Sequence, residues 1–287
     1  MGLSVSPGGQ LLLRGAPYWG CGVNYFDAFA RTLERADDRS YEQGFHALSS
    51  LGIPFARFMA SGFWPVNCRL YQTDRQEYFR RLDAVVRSAE RNQVGLIASL
   101  FWCYSTVPDL VGEPVDQWGN PKSKTHAFMR RYVREVVTRY RQSPALWGWE
   151  FGNEYLLSAD LPNATDHRPP VAPELGTPSS RSARDELSSA MVRVAYRAFA
   201  REVRRWDPVR VILSGDGFPR PSAWHQRQER SWGQDTKSQY QEVLLRDTPS
   251  PMDLLSAHLY EAREQRFGSD STAEELLRVS MDAARKA

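Results

Sequence analysis

Short apolar runs alternate with amphipathic helical stretches along almost the whole chain, and this alternation is the strongest constraint on its fold. Strands buried on both faces are short and continuously apolar, and when they alternate with helices they build βα units around a parallel sheet. Six runs fit: Tyr18 to Tyr25, Ile53 to Met59, Val94 to Trp102, Ala145 to Phe151, Arg210 to Ser214 and Asp253 to Leu259. Helices are expected over Tyr41 to Ser50, Asp74 to Asn92, Lys124 to Arg141, Ser182 to Trp206, Thr236 to Arg246 and Thr272 to Lys286. In the second of these, Phe79, Leu82, Val85 and Val86 recur at helical spacing, so one face packs on a sheet. Gly8 and Gly9 before Leu11 to Leu13, then Gly15 to Tyr18, read as a small hairpin at a barrel floor. A length of 287 residues suits one single-core domain of this α/β class.

Composition narrows the partners. The formal charge of +3 balances 37 basic against 34 acidic residues, and arginines such as Arg130, Arg131, Arg134 and Arg139 fall on helices. They read as solvated outer faces, so no nucleic-acid partner is expected. Cys21, Cys68 and Cys103 cannot all pair within one chain and match no zinc spacing, so they read as free thiols. No run of 18 apolar residues occurs, and the opening MGLSVSPGGQLLLRG lacks a basic region followed by an apolar run. No membrane is expected, and the location is cytoplasmic by default, or secreted if a signal peptide had been removed.

Parallel βα units close into an eightfold barrel or stay open as a doubly wound sheet, and periodicity does not choose between them. The residues after the strands do. Asn24, Tyr25, Phe26 and Asp27 follow the first strand, where a nucleotide-binding fold would carry a glycine-rich loop. Polar and aromatic residues then follow every later strand: Arg57 and Trp64, Trp102 and Tyr104, Asn153 and Glu154, Asp216, and His258 with Tyr260. A barrel active site is assembled from many strand ends in this way. The long loop from Leu156 to Arg181, rich in proline and serine, lies on the same side and reads as a cleft wall, or as a tolerated surface insertion.

The stretch Trp147-Gly-Trp-Glu-Phe-Gly-Asn-Glu-Tyr155 is an apolar strand ending abruptly in an amide and a carboxylic acid. Glycoside hydrolysis uses a carboxylic acid at the leaving oxygen and strengthens its hold on the sugar 2-hydroxyl in the transition state, tasks that fit Glu154 and Asn153. In isolation such a dipeptide is ordinarily a turn cap. Trp64 and Trp102 follow strand ends and suit stacking on pyranose rings, although aromatics supply buried area anywhere. The five histidines, His46, His126, His167, His225 and His258, form no close-spaced ligand set, so neither a metal nor a cofactor is expected.

Trp-Glu-Phe-Gly-Asn-Glu after the fourth strand resembles the fourth-strand signature of glycoside hydrolase family 5 and its clan A relatives. GVNYFDAF resembles the family's first strand, GIPFARFMASGFWP the second, GLIASLFW the third and DLLSAHLYE the sixth. The resemblance implies a (β/α)8 barrel and a retaining β-glycosidase acting on glucan, mannan or a related oligosaccharide. It implies Glu154 as general acid and then base, Asn153 holding the sugar, and Arg57 beneath the nucleophile. It also implies His258 lining the cleavage subsite and Tyr260 hydrogen-bonded to the nucleophile. Asn24, Asp27, Trp64, Trp102 and Asp216 are the expected substrate-binding residues.

The chain departs from the family where Phe101, Trp102 and Cys103 stand in place of third-strand histidines and Tyr155 in place of a proline. The family nucleophile, a glutamate after the seventh strand, has no counterpart, and the sequence reads as an incomplete barrel of six units. Glu150 lies four residues before Glu154, about 13 Å down the strand at about 3.3 Å per residue, whereas a retaining pair needs about 5 to 5.5 Å. Glu150 therefore reads as a buried anchor paired with an arginine. Three outcomes stay open: a hydrolase completed by further polypeptide, one part of a split enzyme whose second chain covers the open edge, or an inactive carbohydrate-binding protein.

Overall fold

The N-terminal leucines decide where the chain begins to pack. In the computed structural model, which describes residues 2–285, Leu3–Val5 (β1), Leu11–Leu13 (β2) and Ala16–Pro17 (β3) pair antiparallel as a small three-stranded sheet. Leu3 packs with Ile97, Trp147, Val211 and Leu213, side chains from three strands of the main sheet. The expected hairpin thus gains a third strand and covers the floor of the sheet.

The main sheet has five parallel strands in sequential order: Val23–Asn24 (β4), Phe55–Met59 (β5), Gly95–Phe101 (β6), Leu146–Gly152 (β7) and Val211–Leu213 (β8). Every residue of β6 and β7 is buried, which is why both read as unbroken apolar runs. Between and after the strands come Ala30–Glu34 (α1), Ser40–Ser50 (α2), Pro65–Thr73 (α3), Arg75–Arg91 (α4), Thr106–Val111 (α5), Lys124–Tyr140 (α6) and Ser189–Trp206 (α7). Three of them start on side-chain caps: Asp74 accepts the Glu77 N–H, Ser123 that of His126 and Ser188 that of Met191. Their apolar faces, Leu82, Val85 and Val86 on α4 and Tyr196, Phe199 and Val203 on α7 among them, join one core with Leu96, Trp149 and Phe151 of the sheet.

Ala223–Glu229 (α8), Lys237–Arg246 (α9), the hairpin Arg263–Arg266 (β9) and Ser269–Thr272 (β10), and Ala273–Ala284 (α10) complete the described chain. Tyr240 and Leu244 of α9 pack on Leu276 and Val279 of α10 as a second, smaller core.

The structure corrects two strand expectations. The first strand shrinks from Tyr18–Tyr25 to Val23–Asn24. The sixth, Asp253–Leu259, runs beside β8 but forms only a single parallel bridge, Gly217 to His258. Its side chains take the ladder's place. The Asp253 carboxylate accepts the Ile212 N–H at 2.7 Å and Ser256 Oγ accepts the Gly215 N–H at 3.2 Å. The described sheet therefore holds five strands and one bridged edge segment, against the six expected. The helix expected from Ser182 starts at Ser189, because Ser182 and Asp185 close a separate capped turn first.

One irregularity sets which residues reach the site. Leu96 pairs with Leu146 but Ile97 pairs with Gly148, so Trp147 is an extra residue, a bulge. Leu146 then faces the helices, Trp147 faces the floor cluster, and Trp149 and Phe151 face the helices again. Glu150 is left on the inner face. The bulged indole lies against Gly95, where an added Cβ would meet the ring at 2.2 Å. Gly95→Ala is expected to displace Trp147 and to lower stability by about 1–3 kcal/mol, the usual range for overpacking, read as a lower denaturant midpoint. An unchanged midpoint would contradict this packing.

Candidate active site

The ends of β5, β6, β7 and the 253–258 segment converge on one carboxylate. Beyond β7 the chain continues through Asn153, whose N–H donates to Trp102 O at 3.0 Å, and Glu154, whose N–H donates to Gly215 O at 2.9 Å. Glu154 itself is left-handed, with φ of 55°, a conformation rare in non-glycine residues and concentrated at functional sites. Gly215 opposite has φ of 76°, and a Cβ there would lie 2.0 Å from Gly152 O, so only glycine lets the two strand ends approach.

Glu154 Oε1 accepts from His258 Nδ1 at 2.9 Å and from the Tyr260 hydroxyl, while the Asn153 amide nitrogen stands 3.5 Å from Oε2. Tyr260 is an exposed residue, but the partial desolvation of its hydroxyl against the site, and then the adjacent Glu154 carboxylate, push the phenol up to about 12, so it stays a neutral donor. Behind this carboxylate, Arg57 Nε lies 2.8 and 2.9 Å from the two oxygens of Glu150. Its Nη2 donates to Asn153 Oδ1 at 3.0 Å and to Gly152 O at 3.2 Å. The guanidinium also lies 4.3 Å from the centre of the Trp102 ring.

These contacts place the expected residues. Arg57, Asn153, Glu154, His258 and Tyr260 form one connected group, with Trp102 packed on Arg57. Arg57 pairs with Glu150, which answers to the buried anchor read from the sequence. Tyr260, expected on a nucleophile, instead binds Glu154, because Glu154 is the carboxylate its hydroxyl meets. Asp27, expected to bind substrate, is held by Arg31 at 2.6 Å, a helical i, i+4 pair. Asn24 stands exposed at the end of β4, in register with Arg57.

A cleft of about 990 Å³, open to solvent, adjoins the group and is lined by Trp64, Trp102, Tyr104, Leu157, Pro169 and Pro170 together with Asn153 and Glu154. Among the described residues lining it, Glu154 is the only carboxylate. Leu157, Pro169 and Pro170 come from the long loop, which therefore forms a wall of the cleft. Arg181, which fixes the loop, grips Asp109 through two hydrogen bonds of 2.6 and 2.7 Å. Cys103 also lines the cleft, and burial pushes its thiol up to about 12, so it is no thiolate nucleophile. Tyr104 follows the third strand as expected, and Pro169 and Pro170 belong to the proline-rich loop that the sequence marks as a cleft wall.

Asp216 is the clearest misplacement. It was expected to face substrate but is buried, its Oδ1 accepting the Leu156 N–H at 3.1 Å and its Oδ2 the hydroxyl of Tyr196 on α7. Burial pushes its carboxyl up to about 7 from an ordinary 3.8. Between those values the folded chain holds more protons at this site than the unfolded chain, so stability falls as pH rises through the window. The loss is expected to reach up to a few kcal/mol by pH 7, since one pKa unit is about 1.4 kcal/mol. Unfolding midpoints of the wild type should fall from pH 4 to 7 more steeply than those of Asp216→Asn. Parallel curves would show that Asp216 does not titrate there.

No family model matches the chain. A curated relative, "Probable mannan endo-1,4-beta-mannosidase F" of Aspergillus flavus, is 35% identical over 81 residues, covering 26% of this chain and 17% of the relative. The endo-1,4-beta-mannanase of Rhizomucor miehei superposes with a TM-score of 0.52 at 18% identity, over 77% of this chain and 62% of that one. The glycoside hydrolase family 5 mannosidase of the same organism gives a TM-score of 0.53 at 12% identity, over 78% and 58%. The chain thus spans under a fifth of that curated relative and about three fifths of these two solved structures. Over about three quarters of its length the chain shares the fold of these two enzymes, and mannan endo-1,4-beta-mannosidases resemble it in sequence over 81 residues. No described helix is long and apolar enough to cross a membrane.

Proposed function

We propose that this chain carries the acid/base side of a retaining β-glycosidase site that takes β-linked mannan or a related oligosaccharide. The observation that carries the reading is Glu154, the only carboxylate among the described residues lining an aromatic cleft, set on a left-handed turn beside Asn153. Mannan is chosen because the proteins that the chain resembles in sequence and in fold are mannan-cleaving enzymes.

In this reading each hydrogen bond assigns a task. His258 and Tyr260 occupy Glu154 Oε1, which leaves Oε2 as the oxygen that gives the proton to the leaving glycosidic oxygen and later takes one from water. Arg57 occupies Asn153 Oδ1, which leaves the amide nitrogen to donate to the sugar 2-hydroxyl. Trp64, on the cleft wall, stacks on a sugar ring. Glu150 is engaged by Arg57 and so is not free to act as the nucleophile of a retaining pair.

A second reading, a protein that binds the oligosaccharide without turnover, is favoured by the absence of another carboxylate from the described cleft lining. Aryl β-mannoside hydrolysis and calorimetry with mannotetraose separate the two. An enzyme should lose about a thousandfold in kcat on Glu154→Gln while keeping its affinity, the usual scale for removing a general acid. A binder should show no hydrolysis in any variant and weaker binding in Trp64→Ala. Neither binding nor hydrolysis would refute a sugar site.

A further inference from the structure

We propose that Asp216 is the positioning residue of this site, locking the Glu154 turn and the His258 segment into one unit. The two side chains that meet at Glu154 Oε1 come from positions 104 residues apart, and neither sits inside a regular strand. Something must hold both backbones. Three N–H groups around the site close on two consecutive residues: Glu154 N on Gly215 O at 2.9 Å, His258 N on Asp216 O at 2.9 Å, and Leu156 N on Asp216 Oδ1 at 3.1 Å. Asp216 thus holds His258 through its main chain and the turn after Glu154 through its side chain.

The carboxyl is itself fixed from behind. Its second oxygen accepts from Tyr196, one helical turn beyond Arg193 on α7. A narrow crevice at its back is lined by Leu156, Asp216, Arg220, Arg227 and Asp247. Asp247, at the end of α9, accepts from Arg193 at 3.2 Å and from Arg227 of α8 at 2.6 Å, and Arg227 also lies 3.4 Å from Asp160. Arg193, Arg220 and Arg227 thus stand around Asp160, Asp216 and Asp247 at this point of the fold. Burial, and the nearby Asp247, hold the Asp216 carboxyl above its ordinary range. The outer helix α7 therefore bears on the turn after Glu154 through Tyr196 and the Asp216 carboxyl. The consequence for catalysis rests on the reading of Glu154 as the site acid; the locking itself does not.

The test reads geometry rather than turnover, so its failure is separable from failure of the glycosidase reading. In 15N-labelled protein the Nδ1–H of His258, assigned with His258→Gln, should give a sharp downfield proton resonance from its bond to Glu154. Asp216→Ala should broaden or remove it, and Asp216→Asn should restore it, because an amide can still accept from Leu156 N–H and donate to Tyr196. Asp207→Asn perturbs another buried aspartate, the one bound to Trp149 and Arg210, and should leave the resonance in place. Persistence of the resonance in Asp216→Ala, or its loss in Asp207→Asn as well, would overturn the proposal. If Asp216→Ala does not fold, the wild type decides by amide hydrogen exchange. Glu154, Leu156 and His258 should share one opening rate within a factor of about three, and rates a hundredfold apart would show that no common unit exists.

Discussion

The pairing of Arg57 with Glu150 is the interaction on which the strand ends depend. Both side chains lie on the inner face of the sheet, 13% and 4% exposed, where an unpaired charge of either sign would cost several kcal/mol. Because the arginine fork also takes Gly152 O and Asn153 Oδ1, the same cation that neutralises Glu150 orients the amide next to Glu154. Trp102 covers its face and excludes water from that side. The pair thus ties three adjacent strands together at the level where the chemistry sits.

The rest of the fold serves that placement. The Trp147 bulge shifts β7 by one residue, which puts Glu150 inward opposite Arg57 while Trp149 and Phe151 stay in the helix-facing core. The glycine at 215 then lets the end of β8 touch Gly152, and the Glu154 turn is held there by hydrogen bonds from both sides. Rigid elements carry Arg57 and Asn153, whereas His258 and Tyr260 ride on a segment with one bridge to the sheet. Glu154 is where the sheet and the bridged edge segment meet.

Much of this was legible from residue order. The helices from Tyr41, Asp74 and Lys124 fall within a residue or two of their expected bounds, because apolar spacing and caps such as Asp74 and Ser123 are local signals. Arg57, Asn153, Glu154, His258 and Tyr260 were brought to one list by strand-end position and by family resemblance together. What escaped was direction. Asp216 follows a strand just as Glu154 does, but the left-handed Gly215 turns it to the helix side, and no periodicity reports that. Asp253 and Ser256 lie in an apolar-looking run, yet their side chains capture the backbone groups that a sixth strand would have paired. Asp27 was lost to Arg31, a local pair that competes with any ligand.

Glu150 belongs to Arg57 and is not a second carboxylate of the cleft, and a double-mutant cycle on the pair, followed by denaturant unfolding, tests this most directly. Arg57→Met and Glu150→Leu should each cost about 3–5 kcal/mol by stranding the partner's charge, and the double variant should recover most of that loss. Additive losses, with no recovery in the double variant, would mean that the two side chains do not depend on each other and that the site is built differently.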